Sequence, residues 1–98
     1  MEQVRTIEGE VDDIKDRLSS TGDTVVEMLV SGGGGIEKCI AYSEKAKVLQ
    51  NLLEKMRGLV SRNNVSHIRD LKVRVEINGI VKNQSGKDLI VTGIKIVQ

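Results

Sequence analysis

A short chain does chemistry through a nucleophile, a proton carrier or a set of metal ligands, and this sequence is poor in all three. His67 is the only histidine and Cys39 the only cysteine. Neither has a serine, a second cysteine or a carboxylate at a diagnostic spacing, so neither makes a nucleophile-base pair or a zinc set. His67 reads as a surface or strand-entry residue that could meet a phosphate, and Cys39 as a small buried side chain. Asp12, Asp13 and Asp16 cluster, but they read as solvent-facing charges at a helix start rather than as a metal site. No catalytic residue, metal or cofactor is expected.

The residues suited to binding are more numerous. Gly32 to Gly35 follow the apolar run Val25 to Val30, and such a glycine turn can present backbone amides to an anion. Ile36-Glu37-Lys38 stands where a phosphate loop would want lysine and serine or threonine, so a nucleotide enzyme is not indicated. Gly34 and Gly35 either contact a nucleic-acid phosphate or make a tight, closely packed turn. Lys38 falls in the first turn of an expected helix, where the helix dipole disfavours a cation unless an external anion is bound. Arg69, Lys72 and Arg74 would continue a cationic surface, and Lys82 and Lys87 would carry it onto a hairpin arm. Tyr42 is the only aromatic residue, which disfavours a single-strand binder that relies on base stacking and points to phosphate and shape contacts.

These groups must be positioned by elements that 98 residues can supply, which means one hydrophobic core and one domain over residues 1–98. A short strand is expected at Val4 to Ile7. Val11, Ile14 and Leu18 are spaced as on one helix face. After the turn Ser19 to Asp23, Thr24 to Val30 reads as a buried strand. A long helix is expected from Ile36 to Val60, with an inward stripe of Ile36, Ile40, Ser43, Ala46, Leu49, Leu53, Met56 and Val60. Val48, Leu52 and Leu59 widen its apolar surface and form a candidate dimer interface. Leu71, Val73, Val75 and Ile77 alternate with charged residues as in a half-exposed strand. Lys82 to Asp88 is a polar hairpin tip, and Leu89 to Val97 is the last strand. The expected fold is α+β, a two-layer sandwich in the order β-α-β-α-β-β, with two helices on one face of a four-stranded mixed sheet.

Charge is unevenly spread. Residues 1–30 carry eight acidic and three basic side chains, a balance of −5, and residues 31–98 carry six and twelve, a balance of +6. Such asymmetry suits either a polyanion or a complementary protein surface. No segment approaches the run of about 18 apolar residues that spans a bilayer, and the acidic start is unlike a signal peptide. A cytoplasmic, nucleoid or nuclear protein is expected, neither secreted nor membrane-bound.

The segment Val30 to Lys47, VSGGGGIEKCIAYSEKAK, resembles the Alba family of nucleic-acid-binding proteins at Gly33, Gly35, Ile36, Lys38, Cys39, Ile40 and Glu44. The expected order of elements is also similar to that family. The resemblance implies a non-enzymatic dimer whose long helices and hairpins form a surface for duplex DNA or structured RNA. Lys38 would lie near that surface, and Lys82 and Lys87 on its arm. Where the family carries a basic pair at its first helix, this chain has Glu10-Val11-Asp12-Asp13. That substitution admits a second expectation: a structural or adaptor protein, working as a homodimer or with a more basic paralogue, with little or no nucleic-acid binding.

Overall fold

The computed structural model describes residues 3–81 and 88–97, and its first element is one long strand, β1 (Gln3–Leu18). Ile7, Gly9 and Val11 turn inward at alternate positions, as a strand requires, and the next inward residue is Ile14. That step of three is a bulge: the pairing register slips between Val11 and Asp13, and the strand bends there. The extra residue makes Val11, Ile14 and Leu18 imitate a helix face. No helix forms, and Leu18 is 70% exposed.

β2 (Thr24–Gly32) covers the expected Thr24 to Val30 strand and sends Val26, Met28 and Val30 into the core. Gly33 and Gly34 then make a two-residue hairpin turn, with Gly32 paired to Gly35. The chain returns as β3 (Gly35–Tyr42) rather than entering a helix. Ile36 and Ile40 are four residues apart, a separation that a helix and a strand satisfy equally; pairing with β2 decides for the strand.

The helix α1 (Ser43–Asn63) begins only after Tyr42 and buries Ala46, Leu49, Leu52, Leu53 and Met56. The expected stripe therefore holds from Ala46 to Met56, while Ile36 and Ile40 belong to β3. Asn64 ends the helix in the left-handed conformation, its amide donating to the Val60 carbonyl. A 3-10 turn, Ile68–Leu71, follows; His67 caps it by accepting the Arg69 amide on Nδ1 at 3.2 Å. β4 (Arg74–Val81) buries Val75 and Ile77. Leu71, expected in this strand, lies in the 3-10 turn instead. β5 (Leu89–Val97) matches the expected last strand. Of the expected hairpin tip, Lys82 to Lys87 lie outside the described residues.

The strands close into a barrel in the order β1-β2-β3-β5-β4, and β1 pairs with both β2 and β4. Neighbours are antiparallel except for a short parallel contact at Cys39–Leu89 and Ile40–Ile90. The expected β-α-β-α-β-β sandwich is thereby corrected to five strands and one α-helix in the order β-β-β-α-β-β. The Alba-like architecture falls with it, because residues 11–18 and 36–42, read as helical, are both strands.

Met28, Val30, Cys39, Val75, Ile77 and Leu89 pack from the strands, and α1 adds Leu49, Leu53 and Met56 to the same cluster. No polar or charged residue is buried among the described residues. Each such aliphatic side chain contributes about 1.5–3 kcal/mol by leaving water, and this core holds the outer face of the strands in register.

Candidate functional site

Residues paired across neighbouring strands share a face, so the register maps the outside of the barrel. Val26–Ala41 and Met28–Cys39 point inward. The intervening pairs Val25–Tyr42, Glu27–Ile40, Leu29–Lys38 and Ser31–Ile36 therefore lie on the opposite side, where Val25 and Ile40 are nonetheless buried and the others reach solvent. On the other side of β2, Arg17 lies opposite Val25, Lys15 opposite Glu27 and Asp13 opposite Leu29. Three rows cross β1, β2 and β3: Arg17–Val25–Tyr42, Lys15–Glu27–Ile40 and Asp13–Leu29–Lys38. Ser31 and Ile36 form a further row beside the glycine turn.

This face mixes cations with exposed apolar groups. Ile36 is 62% and Tyr42 46% exposed. Glu27 stands at its centre between Arg17 and Lys38. Its Oε2 accepts from Arg17 Nε at 2.5 Å, and its Oε1 lies 3.3 Å from Lys38 Nζ. The Arg17 hydrogen bond, against some desolvation and with help from Lys38, holds the Glu27 carboxyl below the usual carboxylate range. A cleft of about 160 Å³ lined by Asp13, Lys15, Glu27, Leu29 and Lys38 opens on the same face.

The sequence-derived cations are distributed as the strands dictate. Gly34, Gly35 and Lys38 share the β2–β3 hairpin, next to this face. Arg74 pairs across to Glu10, which in turn pairs with Ser31; that puts it three strand spacings from Ile36, roughly 14 Å. Its guanidinium is bound to Glu8 at 3.0 Å. Arg69 and Lys72 are exposed on and beside the 3-10 turn, and Lys82 and Lys87 lie outside the described residues. Strand pairing thus lays the basic later part of the chain against its acidic opening, through Arg74–Glu8 and Lys38–Glu27. Near the start of β3, Arg5 and Glu37 add a 3.2 Å pair.

Arg17, Lys15, Glu27 and Ile36 were not singled out for binding by the sequence. The alternation of Lys15 and Arg17 on a strand was the available signal, hidden by the bulge that precedes them. Val48 and Leu52, expected at a dimer interface, line an apolar groove of about 400 Å³ with Asn51, Lys55, Ile94 and Ile96. Leu59 is half-buried further along α1. Among the described residues no group of three or more His, Cys, Asp or Glu is placed to hold a metal ion, and no helix is long and apolar enough to cross a membrane.

No protein-family model matches the chain, and no curated protein matches it. Solved structures do. The chain superposes on the mitochondrial single-stranded DNA-binding protein Rim1 of S. cerevisiae with a TM-score of 0.62 at 9% identity, covering 98% of this chain and 96% of that one. A structure of yeast Stn1 and Ten1 gives a TM-score of 0.61 at 14% identity, covering 97% of this chain but only 43% of the other. The second OB-fold domain of replication protein A from Methanococcus maripaludis gives 0.57 at 19% identity, covering 95% and 82%. At such identities the likeness speaks for the fold, and it agrees with the strand order. The barrel is an OB fold, which replaces the Alba resemblance.

Proposed function

We propose that this OB-fold chain binds single-stranded nucleic acid across the outer face of β1, β2 and β3. Lys15, Arg17 and Lys38 contact phosphates, and Tyr42 and Ile36 meet bases. The observation that carries the reading is the joining of three cations, Lys15 and Arg17 from β1 and Lys38 from β3, with two exposed apolar side chains of β3 on the outer face of β1, β2 and β3. Its β2–β3 part is where OB folds hold oligonucleotides and oligosaccharides. The likeness to Rim1, described as a mitochondrial single-stranded DNA-binding protein, supports the same reading.

The expected duplex or structured RNA ligand fits less well. A duplex offers this face mainly phosphates, and three cations offset by Glu27 and Asp13 are few for holding it by charge alone. A single strand adds unpaired bases, for which Tyr42 supplies one stacking platform. With one aromatic residue and nearly balanced charge, binding is weak and tolerant of sequence.

The test is a titration of a labelled oligothymidylate of roughly 16 nucleotides, at the upper end of what one OB barrel covers. It is run at about 50 and 200 mM salt, beside a duplex of equal length. Single-strand affinity that falls with salt and drops in Lys38→Gln supports the proposal. Equal or tighter duplex binding, or no effect of Lys38→Gln, rejects it.

The groove between α1 and β5 favours a second reading, an adaptor that pairs with another copy of itself through Val48, Leu52 and Ile96. Sedimentation at micromolar concentration decides it: a dimer that Val48→Lys dissociates supports pairing there, and a monomer removes it.

A further inference from the structure

We infer that Glu27 engages, with its own carboxylate, the same Arg17 and Lys38 that a backbone phosphate would engage, and so holds the affinity of this face down. The inference rests on the single-strand reading above. It deepens that reading by naming the residue that tunes it.

The geometry is that of a filled anion site. One carboxylate oxygen accepts from Arg17 Nε, and the other faces Lys38 Nζ at 3.3 Å, the two-oxygen bridge that a phosphate also makes. Freedom to move is unequal among the three. The side chains of Arg17 and Lys38 are 48% and 43% exposed, but that of Glu27 is 13% exposed, on the strand flanked by the other two. The cations can turn outward to a ligand, while the carboxylate stays beneath them. A bound phosphate therefore gains two cations and keeps one anion as a near neighbour. Cancelling one positive charge removes about one phosphate's worth of counterion release, roughly 0.7 in the slope of log affinity against log salt for a single strand.

Glu27 could act in the opposite sense, as an organiser that aims Arg17 and Lys38 at the ligand, and the same variant separates the two. Glu27→Gln keeps the shape and removes the charge. Oligothymidylate binding should then tighten about tenfold at about 50 mM salt, with a slope steeper by roughly 0.7. Glu27→Met, also neutral and of similar length, should do the same. Glu8→Gln makes an identical change in net charge beside Arg74 and should shift affinity by less than about twofold. Melting curves confirm that each variant is folded. Unchanged or weaker binding by both Glu27 variants, while Lys38→Gln still weakens the wild type, overturns the inference and leaves the single-strand reading standing. An equal gain in Glu8→Gln overturns it as well, since net charge alone would then be responsible. No binding by the wild type or either Glu27 variant overturns both.

Discussion

Tyr42 is the only Phe, Tyr or Trp in the chain, and it is 46% exposed on the outer face. Stacking contributes about 1–3 kcal/mol per base, so Tyr42→Ala should weaken oligothymidylate binding by roughly tenfold while the melting temperature moves little. Glu27 gives a pH test. Its carboxyl titrates below its unfolded value because the Arg17 hydrogen bond, with Lys38 beside it, holds the charged form. Its ion pairs therefore add stability above that value and lose it as pH falls through the lower folded value. Melting should not change on its account between neutral and mildly acidic pH. In acid, the wild type should lose more stability than Glu27→Gln. Cys39 is fully buried, and burial first, then the Glu37 charge, pushes its thiol up to about 12. Alkylation followed by mass spectrometry should find it inert in the folded protein and reactive in denaturant.

At the scale of elements, two strands were legible and two segments were not. β2 and β5 are rich in β-branched and other aliphatic residues between polar turns, and their expected limits stand within two residues. The second half of β1 and residues 36–42 of β3 read as helix because a bulge and a four-residue separation each imitate helical period. The candidate site suffered directly, since Lys38 was seen in the wrong element and Lys15 and Arg17 were passed over. Close strand contacts provide the test at this scale. A Cβ at Gly79 would lie 2.6 Å from the Ile90 carbonyl oxygen and from the Leu89 side chain, whereas one at Gly33 would meet nothing within 4 Å. Gly79→Ala should cost about 1–3 kcal/mol in chemical denaturation, and Gly33→Ala less than about 0.5 kcal/mol.

At the scale of the whole molecule, α1 shares its core with the barrel through Leu49, Leu53 and Met56. Leu53→Ala should therefore lower the stability of barrel and helix together, by about 2–5 kcal/mol, in one cooperative denaturant transition. Separate transitions for helix and sheet signals would contradict the shared core. The sequence by itself determined the inventory: a lone histidine, a lone cysteine, a lone aromatic, aliphatic alternation in the later strands, and the helical stripe from Ala46 to Met56. Periodicity is a local property, and these features are local. Only the tertiary structure decided that β1 bends to pair with both β2 and β4, that the glycines close a hairpin, and that Glu27 meets Arg17 and Lys38. Those outcomes depend on register between distant segments, and a shift of one residue would send every side chain of a strand to the opposite face.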